Sequence, residues 1–208
     1  MKLTLKRLID IFGAGTVLLV TAPVLVLAAI GILVTMGRPV LFRQERPGLR
    51  DEIFTLFKFR TMDDSCDHEG RLLPEEKRLT PLGRLLRRLS VDELPQLRNV
   101  LRGEMSLVGP RPLWPGYLPY YTERERLRHS IKPGITGWAQ INGRSNLSWN
   151  ERLAHDVWYV DHQSLLLDLR ILFLTVIRVL QGRDVEIVPR KDFLRLDVER
   201  KRSATPPL

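Results

Sequence analysis

The sequence predicts a mainly α protein with a small β element, built onto an apolar N-terminal segment that enters a membrane. Three observations carry that prediction. No charged residue occurs from Ile11 through Gly37, and about 20 apolar residues suffice to cross a bilayer core. Several later stretches have helical spacing or helix-capping signals. Only Glu52 to Met62 (EIFTLFKFRTM) is rich enough in aromatic and β-branched residues to read as a strand.

The apolar run is longer than the core of a usual signal peptide, and no small-x-small cleavage site closes it before Arg38. Its flanks are unusual. Lys2, Lys6 and Arg7 precede it, and Arg38, Arg43, Arg46 and Arg50 follow it. A basic excess marks the cytoplasmic side of a membrane segment, and here both ends carry one. Pro23, near the midpoint, frees the carbonyl of Leu19 and favours a kink. Thr21 is placed to satisfy a freed carbonyl. On the residues alone two readings stay open: a helix–break–helix that enters and leaves by one face, or a kinked helix that spans.

Residues 1–37 form this membrane element, 38–184 the main body, and 185–208 a charged, peripheral tail. At 208 residues the chain can bury one core. The net charge of +9 excludes an acidic protein and points to anionic partners: nucleic acid, anionic lipid or a phosphorylated substrate. Cys66 is the single cysteine, so no intrachain disulfide forms, in keeping with a reducing compartment.

In the predicted strand Lys58 and Arg60 share a face. DDSCDHEGRLLPEEKR reads as a charged loop. In TPLGRLLRRLS, Leu82, Leu85, Leu86 and Leu89 form one stripe, with Arg84, Arg87 and Arg88 off it. Such a helix suits either a lipid interface or a soluble core. DELPQLRNVLRG reads as a short helix with Asp92 as N-cap and Gly103 ending it. GPRPLWPG and KPGITGWAQINGR read as loops. SWNERLAHDVWYVDH and LLLDLRILFLTVIRVL read as helices. Asp168, Arg170 and Arg178 make the second a core or interfacial helix instead of a span.

The chemistry concentrates at SVDELPQL. Asp92 and Glu93 are adjacent carboxylates a few residues after the arginines of LLRR. A structural alternative is a capping box from Ser90 to Glu93, but a helix starting there places Pro95 inside it. Chemically, a carboxylate at a helix N-terminus beside arginines stays ionised, as a nucleophile must. A neighbouring carboxylate suffices for Mg²⁺, which takes one or two of them beside phosphate oxygens and water. In GPRP, prolines 110 and 112 stiffen the loop that carries Arg111, a second phosphate-binding candidate. Arg144 of NGR has the same character. The four histidines show no metal-ligand spacing, and no Walker A, GxGxxG or GxSxG motif occurs.

KRLIDIFGA, RPGLRDEIFTLFKFRTM, LRRLSVDELPQLRNVLRGEMSLVGPRPL and LRHSIKPGITGWAQINGR, in this order, resemble the bacterial sugar transferases, from about Leu5 to Gly182. More narrowly, the chain resembles their small monotopic polyprenol-phosphate phosphoglycosyl transferases. The resemblance implies a re-entrant N-terminal helix–break–helix broken at Pro23, interfacial amphipathic helices and a cytoplasmic catalytic domain. It implies residence in the bacterial inner membrane with the active site on the cytoplasmic face. The implied reaction moves a phospho-sugar from a UDP-sugar to polyprenol phosphate (undecaprenyl phosphate in many bacteria), releasing UMP and initiating a surface glycan. Asp92 matches the nucleophile, forming a covalent aspartyl intermediate, and Glu93 matches the Mg²⁺-binding partner. Arg87 and Arg111 are the leading phosphate contacts, followed by Lys58, Arg60 and Arg144. One departure is visible: Ala22 stands where the family often has serine before the proline, and Thr21 supplies a nearby hydroxyl. A membrane-anchored binding protein whose basic surface grips nucleic acid or acidic lipid is the rival from another class. The chain carries no recognised nucleic-acid motif, and no nucleic-acid partner is expected. A structural assembly factor that has lost activity is a third reading, disfavoured by the intact Asp92–Glu93 pair.

Overall fold

The computed structural model describes residues 2–143, 147–181 and 195–204. The first helix, α1 (Lys2–Met36), has 35 residues and runs without interruption through Pro23. The expected break therefore does not divide it into two helices. Proline removes only its own N–H, and the bonds on either side hold the coil. Thr21 Oγ1 donates to Val17 O at 2.7 Å rather than to Leu19 O, so it does not rescue the carbonyl that Pro23 leaves without its usual donor.

One face of α1 lies against the body over its whole length. Asp10, Ala14, Ala28 and Ile32 are buried, and Leu18, Leu25, Ala29 and Met36 pack beside them. The steps between these positions keep them on one side of a helix. The opposite side stays apolar and open: Phe12, Leu19, Leu27 and Val34 are each about 70–80% exposed. Polar anchors tie down the first turns. Lys6 Nζ donates to Asp168 Oδ2 at 2.6 Å and to Val108 O at 3.3 Å. Arg7 donates to the carbonyls of Val100 (2.5 Å) and Leu101 (2.8 Å), and Asp10 Oδ1 accepts from Ser106 Oγ and the Leu107 amide at 3.0 Å.

Strands β1 (Leu41–Pro47) and β2 (Ile53–Phe59) form an antiparallel hairpin in the register Leu41↔Phe59 to Pro47↔Ile53. The strand expected at 52–62 is present, and its partner β1 is an addition. LFRQERP is too polar to signal a strand, because Arg43, Gln44, Glu45 and Arg46 follow one another in it.

The segment read as a charged loop includes the short helix α2 (Glu75–Arg78). Next comes α3 (Pro81–Arg88), with Pro81 at the first position and Thr80 Oγ1 accepting from the Gly83 amide at 3.0 Å. Its leucine stripe is divided: Leu86 is buried and Leu82 packs inward, while Leu85 and Leu89 are half exposed. Gly83 lies so close to Thr61 that a Cβ would collide with the Thr61 carbonyl group. Gly83→Ala is therefore expected to destabilise the fold by about 1–3 kcal/mol, the usual range for overpacking. Thermal unfolding followed by circular dichroism reads this out, and an unchanged midpoint would contradict the contact.

Val91–Gln96 is a 3₁₀ segment, followed by α4 (Leu97–Arg102), which ends at Gly103 with φ +86°. The capping expectations are corrected here. Asp92 lies inside the 3₁₀ segment, while Ser90 sits in left-handed backbone at φ +56° and makes no capping hydrogen bond. Pro95 has no N–H to donate, and the chain takes the tighter turn before the α-helix begins.

Strand β3 (Ser106–Val108) pairs in parallel with β4 (Gly134–Thr136), and α5 (Glu123–Arg126) lies on the connection between them. With α6 (Trp138–Ile141), β4 corrects the reading of KPGITGWAQINGR as loop throughout. Three- and four-residue elements are too short to show a hydrophobic period. Ser148 and Glu151 form a capping box at the start of α7 (Trp149–His162). The following helix, α8 (Leu165–Gln181), buries Asp168 and Ile171 and turns Leu166, Leu169, Phe173, Val176 and Leu180 outward. That places an apolar stripe at an exterior surface.

Part of the segment read as a peripheral tail is docked. In α9 (Leu196–Ala204), Leu196 is fully buried among Leu113, Tyr117, Tyr121, Trp149 and Leu153. Arg200 also pairs with Glu125 at 2.6 Å. One apolar residue in a charged stretch carries too little signal to forecast this contact.

Candidate active site

The hairpin, α3 and the 3₁₀ segment surround an open polar cavity of about 1200 Å³. Asp92, Glu93, Lys58, Arg60, Arg87 and Arg111 all line it. All six were candidates, as the catalytic pair or as substrate contacts, on sequence separations of up to 53 residues, and the fold brings them to one cavity. Arg144 lies outside the described residues.

Glu93 is the electrostatic centre. Lys58 Nζ donates to its Oε1 at 2.7 Å, and Arg111 grips it with Nη2 to Oε1 at 2.6 Å and Nη1 to Oε2 at 3.3 Å. Burial alone would raise this carboxyl, but the charges and hydrogen bonds of Arg111 and Lys58 outweigh it and hold it well below the usual carboxylate range. Asp92 goes the other way. Burial, then the neighbouring charge of Glu93, pushes it up to about 6 despite Lys58, Arg87 and Arg111. The arginines lower this carboxyl less than burial and Glu93 raise it. It remains mainly ionised at neutral pH, but burial and Glu93 make it more basic. Higher basicity favours a nucleophile provided the group is still ionised.

The other cations differ in how much they give to the fold. Arg87 Nε donates to Thr61 Oγ1 at 3.1 Å, orienting its guanidinium at the cavity wall. Arg60 spends its donors on chain ends. It reaches Met62 O at 3.1 Å, Met36 O at 3.0 Å and Arg38 O at 3.4 Å, and pairs with Asp64 at 2.5 Å. Arg60 therefore clasps the end of α1 to the end of β2, beside its place in the cavity wall.

Arg128 escaped the sequence analysis. It is almost wholly buried and paired with Asp156 at 2.8 Å, and its Nη2 donates to the Arg111 carbonyl at 2.6 Å. The loop that the prolines stiffen is thereby fixed from behind. Arg128 lies in the quoted LRHS stretch, but nothing local joins it to Asp156, 28 residues on.

A second, apolar groove of about 250 Å³ adjoins this cavity. Leu94, Leu97 and Ile141 line it, with Val17 of α1 and Leu172 and Val179 of α8. Glu93 and Arg111 line both spaces, so an ionic centre and an apolar channel meet at these side chains.

Among the described residues no three His, Cys, Asp or Glu side chains gather as a metal cluster. Glu93 Oε2 carries only the longer Arg111 contact, at 3.3 Å, which leaves it room to accept a divalent cation. This donor set fits Mg²⁺, which needs only one or two carboxylates when phosphate oxygens and water complete its shell.

The fold thus sets paired carboxylates among cations beside an exterior apolar surface and a helix long and apolar enough to cross a membrane. The chain belongs to the bacterial sugar transferases, a family whose pattern matches residues 1–182. An uncharacterized sugar transferase, EpsL, of Bacillus subtilis is 54% identical over 88% of this chain and 90% of its own length. The undecaprenyl-phosphate glucose phosphotransferase of Komagataeibacter xylinus is 44% identical over 86% of this chain, which spans only 36% of that protein. The UDP-glucose:undecaprenyl-phosphate glucose-1-phosphate transferase of Escherichia coli is 40% identical over 84% of this chain and 40% of its own length.

Proposed function

We propose that the protein is a membrane-bound phosphoglycosyl transferase that moves a phospho-sugar from a UDP-sugar to polyprenol phosphate. The observation that carries this reading is the junction at Glu93 and Arg111, where a polar cavity suited to a nucleotide diphosphate meets an apolar groove suited to a lipid. The names of the Komagataeibacter and Escherichia relatives, which specify undecaprenyl phosphate, support it.

In this reading an Asp92 carboxylate oxygen attacks the sugar-linked phosphorus. The bond from that phosphorus to the bridging oxygen breaks, and UMP leaves with that oxygen. Polyprenol phosphate then attacks the same phosphorus, the bond to Asp92 breaks, and the carboxylate is restored with release of polyprenol-diphosphate-sugar. Arg87, Arg111 and Lys58 hold the diphosphate and offset charge that builds on it, the main burden of phosphoryl transfer. Glu93 fixes Arg111 and Lys58 and would hold Mg²⁺, which when bound would supply further positive charge at the diphosphate.

We further propose that α1 is re-entrant, with both its ends and the active site on the cytoplasmic face of the inner membrane. Its support is that the first turns bind α4, β3 and α8 while the last turns pack on α3 and β2. A helix that crossed the membrane would separate its ends from a common body. The open apolar sides of α1 and α8, with Leu85 and Leu89 of α3, supply the lipid contact. Single cysteines introduced near Lys2 and after Met36, in a chain with Cys66 replaced, should show equal accessibility to a membrane-impermeant reagent in intact cells. Opposite accessibility would rule the re-entrant reading out.

The activity is tested by UMP release on mixing the protein with Mg²⁺, polyprenol phosphate and a panel of UDP-sugars. UDP-glucose heads the panel because the relatives' names specify glucose. UMP release with at least one UDP-sugar is expected, and no release from any would defeat the proposal.

A further inference from the structure

Gln140 shares the junction with Glu93 and Arg111, because these three side chains line both the polar cavity and the apolar groove. Glu93 and Arg111 bind each other. Gln140 is different: its Nε2 and Oε1 are both sealed from solvent and have no hydrogen-bond partner among the described residues. Buried polar groups are nearly always paired, so an amide with donor and acceptor both unspent gains more than most from a ligand. Its backbone is held firmly. Ala139 and Ile141 are buried on either side, and Trp138 stacks on Trp158 at 4.5 Å between ring centroids. Rotation about the Gln140 side-chain bonds is therefore the freedom that turns its amide into one opening or the other.

Resting on the reaction proposed above, we infer that Gln140 receives the acceptor, its amide N–H groups donating to the phosphate of polyprenol phosphate. The donor's diphosphate is drawn to the cations inside the polar cavity, and nothing in a nucleotide sugar calls for the apolar groove. Only the acceptor, a phosphate on a hydrocarbon chain, must occupy both spaces at once. The neutral amide donates to that phosphate beside Arg111 without adding a further salt bridge to resist its advance on the phosphorus bound to Asp92.

The two half-reactions test this separately. Full-length protein in lipid nanodiscs is mixed with Mg²⁺ and the best UDP-sugar of the panel, without lipid acceptor, and the burst of UMP is measured. Steady-state kinetics with polyprenol phosphate then give KM for each substrate. Gln140→Leu should keep the burst and the donor KM but lower kcat/KM for polyprenol phosphate roughly tenfold to a hundredfold, the range for a hydrogen bond to a charged group. Gln140→Glu, of nearly equal size, should be weaker still toward the acceptor because it adds a negative charge. Should Gln140→Leu unfold at lower temperature, Gln140→Glu carries the test. Unchanged acceptor kinetics in both variants would overturn the inference, and so would loss of the burst in a well-folded variant, which would put Gln140 on the donor. Absence of a burst in the unmodified protein would instead remove the two-step reaction itself, and this inference with it.

Discussion

Asp92→Asn is expected to lower turnover on the order of 10⁴-fold or more, as loss of a covalent nucleophile does. The substitution keeps the size of the side chain and removes its charge. It also removes the repulsion between Asp92 and Glu93 that helps push the Asp92 carboxyl up to about 6. Stability should therefore be unchanged or slightly raised while activity vanishes, a combination that separates a chemical role from a structural one. UMP release with UDP-sugar and polyprenol phosphate measures the first, and thermal unfolding the second. Near-normal turnover in the variant would end the assignment of Asp92 as nucleophile.

Glu93→Gln should reduce turnover about 10²- to 10³-fold, comparable to removing one preorganised electrostatic contact from an active site. The physical route runs through its partners. A neutral amide no longer balances Lys58 and Arg111, which now hold it at 2.7 and 2.6 Å. Both cations then repel one another and lose their fixed aim at the diphosphate. Removing one member of a fully buried pair costs about 3–5 kcal/mol. Arg111 and Lys58 keep part of their hydration, with side chains 35% and 23% exposed, so a loss nearer 1–3 kcal/mol is expected here. The Mg²⁺ concentration needed for half-maximal activity should rise. An unchanged Mg²⁺ requirement would remove Glu93 from the metal site, and unchanged stability would show that the ion pairs contribute little.

The legible parts of this molecule were those written in neighbouring residues. The charge-free run from Ile11 to Gly37 announces α1, and LLLDLRILFLTVIRVL reads as the helix that α8 is. Asp92 and Glu93 stand together in the chain, so their pairing was visible. Their contrasting environments were not. Lys58 reaches Glu93 across 35 residues and Arg111 across 18, contacts that only the closed fold creates. The burial of Asp92, and the 3₁₀ turn that stands in place of an α-helical N-terminus, leave no local sign in the sequence. Strands β3 and β4 are too short to leave a period, and the Arg128–Asp156 pair behind Arg111 joins segments with no local sign of each other. Gln140 lay within a quoted motif, yet only the meeting of two cavities at its side chain distinguishes it.

The most direct test of the central claim is the intact mass of the protein after incubation with UDP-glucose, or another active UDP-sugar, and Mg²⁺ in the absence of polyprenol phosphate. The account predicts a mass increase equal to one phospho-sugar, localised to the peptide bearing Asp92, absent from Asp92→Asn, and discharged on adding polyprenol phosphate. Rapid turnover with no such adduct at any time, or an adduct that persists in Asp92→Asn, would contradict it.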